Sequence, residues 1–354
     1  MPDSVTLEDS DVEVRPGFAN DRLVRLARAA IDRLRLDLDG ITVLTEAASG
    51  AYGTTAVIAA MAGADQVYAV ARDNRFGSSS HHAGQTLALA AAAGVAERIE
   101  IVTGSPYDAA RQSQIVTNSG NLRPIDAALI GHLPSNAVIA LMYEAWELRS
   151  TDIDVAAATM RGLSIVGVNE QHPRINVFSY LGPLAVRELH DAGIAIYGCH
   201  IAVLCDNSFA PPIVLALESL GARVSLAQRC DELPKGPVDA VLVALQPAAT
   251  PVIGSEQARQ LADRTGAAPV VQFWGDVDRP ALSTVGISVW PRQAPPAGHM
   301  AVLFPAIGPE AVVRLQSGGL CAAERVFRSG PSAAGGSSEA TLVNGAPTAL
   351  ALTS

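Results

Sequence analysis

The chain has 354 residues, 49% hydrophobic and 17% charged, with a mean hydropathy of +0.25 and a formal net charge of −10. At roughly 100–200 residues per domain this length suggests two domains with a core in each, and it excludes disorder as the main state. With 35 acids against 25 bases, no basic field exists to displace phosphate counterions, so nucleic acids and anionic membranes are excluded and a small-molecule substrate is expected.

Residues 1–39 open with an acidic leader. A helix follows over 20–36, with Leu23, Leu26, Ala27, Ala30, Ile31 and Leu34 at three- and four-residue intervals, a docking helix. From residue 40 short β-branched runs alternate with Ala/Leu-rich runs. Strands are predicted at 41–45, 66–71, 99–103, 114–118, 137–143 and 164–169. Helices are predicted at 54–62, 85–93, 106–111, 124–132 and 153–161. Intervals too long for hairpins demand parallel pairing, hence a doubly wound, Rossmann-type sheet over 40–178.

After a looser stretch the pattern restarts. Helices are expected at 184–192, 211–220 and 255–265, and strands at 201–205, 223–227, 238–244 and 269–273. The same argument gives a second, smaller α/β domain over 179–330, which takes in a closing helix at 309–327. Residues 331–354 read as a flexible tail, although 340–351 is apolar enough to pack back. Apolar stretches are broken by Gly, Pro or charge before the ~18–20 residues of a membrane span. Met1-Pro2-Asp3-Ser4 begins no secretory signal, so a cytoplasmic protein is expected.

Several chemistries are improbable. The single lysine, Lys235, lies in a Pro/Gly turn, which disfavours a Schiff base, a Walker loop and a Tyr-x-x-x-Lys pair. Cys199, Cys205, Cys230 and Cys321 form no C-x-x-C pair and read as buried thiols, so no metal is expected. His81-His82, after Ser78-Ser79-Ser80, reads as a loop pair.

The first strand runs into Glu46-Ala47-Ala48-Ser49-Gly50-Ala51-Tyr52-Gly53-Thr54-Thr55 and then a helix, the place where a doubly wound fold binds an anion or nucleotide. Small residues let the backbone approach a phosphate, and helix-start N–H groups point at it. Ser49, Gly50, Tyr52, Gly53, Thr54 and Thr55 are therefore cofactor candidates. About twenty residues on, Arg72 and Asp73 stand where a ribose diol or 2′-phosphate would be held. Only Gly50 and Gly53 of a G-x-G-x-x-G pattern are present.

Polar clusters end the later strands. Asn118 follows the fourth and joins the cofactor candidates. Glu144, Glu147 and Arg149 follow the fifth, and Glu170 and His172 the sixth. Such clusters at the carboxyl edge are where ligands bind in open α/β sheets, although solvated loops are polar too. In the second domain Cys205-Asp206-Asn207-Ser208-Phe209-Ala210-Pro211-Pro212 takes the place of a glycine loop, and its Asp206 and Phe209 would obstruct a pyrophosphate.

From Gln114 to Pro173 the text resembles the second half of the NAD-binding domain of D-2-hydroxyacid dehydrogenases. It shares the strand Asn136-Ala137-Val138-Ile139-Ala140, the acids Asp152 and Asp154 opening a helix, and a last strand ending in a carboxylate. The resemblance implies that Arg149 binds a substrate carboxylate and that Glu170 orients a proton-donating His172 or His299. The family's glycine fingerprint is incomplete here, and its order of substrate domain before nucleotide domain is reversed. Val43–Gly53, Gln66–Arg72 and Ala93–Ser105 also resemble motifs of Rossmann-like methyltransferases, in which Glu46 would face S-adenosylmethionine. That fold closes with an antiparallel strand, whereas a parallel unit fits 164–169 better.

The expectation is an NAD- or NADP-dependent oxidoreductase acting on a small anionic metabolite in an interdomain cleft, with net or transient use of the nicotinamide. Glu144, Glu147, Arg149, Glu170 and His172 are the catalytic candidates. The alternatives are an S-adenosylmethionine-dependent transferase and a non-catalytic metabolite-binding protein. A homodimer through the second domain or the tail is a base-rate expectation.

Overall fold

The computed structural model describes residues 15–335 and 338–343. The chain divides into two compact units, one formed by residues up to Ile175 and from Gly308 onward, the other by Asn176–Ile307. Each is described by itself.

The first unit begins with α1 (Asn20–Leu34) and continues β1 (Thr42–Glu46), α2 (Thr54–Met61), β2 (Gln66–Val70), α3 (Ser79–Ala93), β3 (Ile99–Val102), α4 (Tyr107–Gln112), β4 (Ile115–Thr117), α5 (Ala127–His132), β5 (Val138–Ala140), α6 (Val155–Met160) and β6 (Ser164–Val168). The second holds α7 (Leu181–Asp191), β7 (His200–Leu204), α8 (Ala210–Ser219), β8 (Arg223–Ala227), β9 (Ala240–Ala244), α9 (Ser255–Thr265), β10 (Val270–Trp274), α10 (Arg279–Thr284) and β11 (Val289–Trp290). The chain then returns to the first unit with α11 (Glu310–Ser329) and β12 (Ala340–Leu342).

The first sheet has the order β12-β6-β5-β4-β1-β2-β3. Its members from β1 to β6 pair in parallel, with Val138 opposite Ser164 joining β5 to β6. This is the doubly wound arrangement that the alternation predicts, with the strand order reversing between β1 and β4. The sequence reading lacks β12, which runs antiparallel along the outer edge of β6, Ala340 opposite Val168. Because β12 lies outside β6, the β5–β6 pair stays parallel. The tail expected over 331–354 is thus ordered where it is described, and 344–354 lie outside the described residues.

Strands buried on both faces explain why the sequence reads as continuous apolar runs. Leu44, Val116, Ile139 and Ile165 meet Leu129, Ile130 and Ala158 of α5 and α6 in one core. The other face is covered by α2, nearly all of it buried, and by α11, which packs on α1, α2 and β4 to β6. The expectation that the closing helix belongs to the second domain is therefore corrected. A Cβ on Gly319 would stand 2.5 Å from the Met142 Sδ, and one on Gly318 3.0 Å from Val168 and Ile175. Two glycines in mid-helix weaken a helix, but here they let it settle onto the strand ends.

The second sheet has the order β11-β10-β9-β7-β8 and is wholly parallel. Helices cover both of its faces, in cores around Phe273 and Leu242 and around Val243 and Leu261. Among the described residues no helix is long and apolar enough to cross a membrane.

Candidate functional site

The candidate site is built on the carboxyl edge of the first sheet. After β1 the chain makes a short 3-10 turn, Gly50–Gly53, that leads into α2. Gly50 has φ +61°, and a Cβ on Gly53 would lie 2.5 Å from the Ala48 carbonyl oxygen. Both positions thus need glycine, one for its backbone and one for its space. The Ser49 hydroxyl caps nothing in the turn and Gly50 is exposed. Tyr52 stands at the mouth, 37% exposed, its phenol pushed up by burial and by the Glu46 charge.

Thr54 and Thr55 behave differently from expectation. Both are buried. Thr54 donates to the Ala51 carbonyl at 2.5 Å, and the single Thr55 O–H lies between Tyr52 O at 3.1 Å and Gln316 Oε1 at 2.8 Å. These hydroxyls hold the turn to itself and to α11, which leaves none for a ligand.

Beyond β2, Arg72 and Asp73 are exposed. One Asp73 oxygen accepts the Ser79 N–H at 2.6 Å, and that bond holds the carboxyl below its ordinary range. Ser78 caps α3 by accepting the His81 N–H at 3.2 Å. The helix consequently begins six residues before the expected 85, and the histidine pair sits in its first turn rather than in a loop. His82 is buried, with burial lowering its pKa, and its Nδ1 has no hydrogen-bond partner.

A polar chain ties these strand ends together. Asn121 donates its backbone N–H to Glu46 at 2.8 Å and its side-chain amide to Ala47 O at 2.8 Å. Its carbonyl accepts from Asn74, whose own oxygen lies 3.2 Å from His82 Nε2. Burial raises the Glu46 pKa, and the Asn121 N–H opposes it. Sequence reasoning missed Asn74, Asn121 and His82. Three-residue spacing after a strand marks no partner at a separation of 47 residues.

Asn118 anchors a second network. Its amide donates to the Tyr143 hydroxyl at 2.5 Å, which donates to Asp152 at 2.7 Å, and Arg123 stands 3.4 Å from the same carboxylate. Asn118 Oδ1 and Arg123 Nε are buried without partners. A buried acceptor and a buried donor, each left unsatisfied, are costly unless a ligand or water completes them.

The carboxylates converge after β5 and β6. The Glu170 N–H donates to Glu144 Oε1 at 2.8 Å, and the Glu144 N–H donates to Glu147 Oε1 at 3.3 Å. Burial drives the fully enclosed Glu170 far above its ordinary range, with the Glu147 and Glu144 charges adding to it. Burial also pushes Glu147 up to about 7, against the Glu144 N–H and Arg149. Glu144 is raised by burial as well. Arg149 is exposed at the same rim.

His172 has a different carboxylate neighbour from the expected Glu170. Its Nδ1 lies 3.6 Å from Glu339, which also pairs with Arg174 and, at 2.6 Å, with Arg325. Glu339 arrives immediately before β12 and is buried. A cavity of ≈ 370 Å³ is lined by Asn169, Gln171, His172 and Pro173. His299 belongs to the second unit. No cluster of three or more metal-ligating side chains occurs among the described residues.

At the corresponding place in the second unit, Phe209 stacks on Trp274 at 4.7 Å and meets Phe178 edge-on at 5.4 Å. Asp206 accepts the Gln246 N–H, and Asn207 bonds to Ala244 O. Pro211 and Pro212 remove two of the first three N–H groups of α8.

No family model matches the chain, and no curated protein does. Solved structures do match. One component of the dipicolinate synthase from Bacillus halodurans aligns with a TM-score of 0.52 at 13% identity, covering 79% of this chain and 96% of that one. Its counterpart in the dipicolinate synthase from Bacillus subtilis gives 0.55 at 13%, covering 83% and 99%. The pyruvate reductase of Chlamydomonas reinhardtii gives 0.50 at 12%, covering 84% and 99%. The chain is similar in fold to these two-unit α/β structures, as its resemblance to the NAD-binding domain of D-2-hydroxyacid dehydrogenases implies.

Proposed function

We propose that the protein is an NAD(P)-dependent oxidoreductase acting on a small anionic metabolite. The observation that carries this reading is the group Glu144, Glu147 and Glu170 at the carboxyl ends of β5 and β6. Burial raises all three carboxyls, Glu147 up to about 7 with the Glu144 charge adding to it, and Glu170 well above its ordinary value with the Glu147 and Glu144 charges adding to it. A carboxyl near pH 7 is suited to both giving and taking a proton. The likeness in fold to a pyruvate reductase supports it.

The mouth of the β1–α2 turn fits a phosphate. The Thr54 N–H that opens α2 is taken by the Ala51 and Tyr52 carbonyls, so the approach is to the turn itself, where the exposed Gly50 admits the backbone and Ser49 supplies a hydroxyl. Asp73, through the oxygen not bonded to Ser79, and Arg72 would meet the ribose end. Asn118, whose carbonyl lacks a donor, would face the nicotinamide end. The bound nicotinamide supplies hydride transfer. Arg149 binds the anionic group of the substrate, and Glu147 holds the proton that joins or leaves the substrate oxygen as that carbon is reduced or oxidised. Burial, with the Glu144 charge beside it, keeps the Glu147 proton up to about pH 7. The cavity beside His172 is large enough for a small metabolite.

The test is thermal denaturation with NAD, NADP and S-adenosylmethionine, followed by absorbance of the reduced nicotinamide during turnover of small 2-oxo and 2-hydroxy acids. A rise in Tm with either dinucleotide is expected. A rise with S-adenosylmethionine alone, or with none of the three, overturns the reading.

A further inference from the structure

We propose that the first unit carries a second anion site, for a small phosphate-type polyanion, in the cavity between the C-terminal ends of α1 and α11. The cavity measures ≈ 450 Å³, and Arg35, Arg174, Glu324, Arg325 and Ser329 line it. Three guanidiniums thus come together from three separate segments, in a chain whose net charge is −10.

The nearby acids neutralise them only in part, since Arg174 and Arg325 share one carboxylate and Arg35 has none among the described residues. Glu324 is bonded to Arg328 at 3.0 Å, and Arg328 also donates to the Asp37 and Asp39 carbonyls. Glu339 is one buried carboxylate shared by Arg174, Arg325 and His172. Arg35 is exposed and, among the described residues, has no carboxylate within 4.0 Å.

Donor capacity remains as well. A guanidinium offers five N–H donors. Arg325 uses Nη1 toward Glu339, and Arg174 uses Nη1 toward Leu34 O and Nη2 toward Glu339. The whole fork of Arg35 and the remaining N–H groups of the other two suit the oxygens of a phosphate, and Ser329 lies on the same wall. Arg35 follows α1 at φ 56°, a left-handed position at which glycine is the ordinary residue. A long cationic side chain is thus present where the backbone alone would favour none.

The site shares no residue with the 49–55 turn or with the carboxylates at 144, 147 and 170. Glu339 links its arginines to His172, so the test reads anion binding directly, apart from the proposed oxidoreductase activity. The test is thermal denaturation and calorimetry of the full chain with inorganic phosphate, pyrophosphate and citrate at constant ionic strength. The Tm is expected to rise with phosphate and more with pyrophosphate. Arg35→Gly is expected to raise Tm in the absence of anion, by relieving the left-handed residue, and to weaken pyrophosphate binding about tenfold, as loss of a charge-assisted contact would. Arg325→Lys, which keeps the charge but loses the fork, is expected to weaken it as well. The response to NAD should be unchanged in both variants. No response of the unaltered protein to phosphate or pyrophosphate, a response to citrate alone, or an Arg35→Gly variant that binds pyrophosphate as before would overturn the proposal. The arginines would then serve only the carbonyl ends of the two helices.

Discussion

The two units place the same kind of element at the same kind of location, a first strand turning into a helix beside the point where strand order reverses, and they fill it in opposite ways. After β1 the turn is made of Ser, Gly, Ala and Tyr, with an open mouth and polar networks on the neighbouring strand ends. After β7 the turn is closed by Phe209 stacked on Trp274 and by the prolines of α8. An open α/β sheet thus supplies a crevice, and a handful of side chains decides whether that crevice takes a ligand or becomes core.

The comparison can be broken by substitution. Glu147→Gln, which removes the titrating carboxyl from the first edge, is expected to lower kcat by about 10²- to 10⁴-fold with little change in dinucleotide affinity, as steady-state kinetics beside calorimetry would read. Phe209→Ala empties the second edge and is expected to cost about 3–5 kcal/mol of stability in urea unfolding. If the second unit held the nucleotide, this variant would alter NAD binding at native temperature; no change is expected. Gly53→Ala forces a Cβ against the Ala48 carbonyl. It should cost about 1–3 kcal/mol and abolish the Tm response to NAD. Thr55→Val should leave that response intact, because its hydroxyl faces Tyr52 and Gln316, and should cost about 1 kcal/mol for the lost hydrogen bonds.

A pH experiment sharpens the same contrast. In the second unit Glu188 is buried alone on α7, with Oε2 unpartnered, and burial together with Asp191 pushes it up to about 8. Its folded pKa lies above the ordinary 4.5, so the native state holds the proton that the unfolded state releases. Its contribution to stability is therefore complete at low pH and is lost as pH rises from about 4.5 to about 8. Glu188→Gln should flatten that slope in urea titrations across the window.

Much of the architecture was legible because buried parallel strands write themselves as β-branched runs, and α9 matches its expected span of 255–265 in full. Short pieces were not. The two residues of β11, the three of β12 and the six of α10 carry too little pattern to stand out. The membership of α11 was hidden because an amphipathic helix records that it packs but not against what. In the site, Glu144, Glu147 and Glu170 were readable from their places after strands, and the structure brings them together. The partners of Asn121 and His172 were not readable, because Asn74 and Glu339 reach them across long stretches of chain. The role of the Ser78 hydroxyl as a helix cap was outweighed by the look of a serine-rich loop.

The return of the chain to its first unit has a consequence for synthesis. The second unit is continuous and has all its strands once Ile307 has emerged, whereas the first must wait for α11 and β12 before one face of its sheet is covered and its β6 edge is paired. On the ribosome, the half that is made first is completed last. Contacts between α1 and α11 span nearly the whole chain, and such long-range closure slows folding and leaves apolar surface open meanwhile. A stop codon placed after Ile307 would therefore spare the second unit and strand the first as an aggregating intermediate.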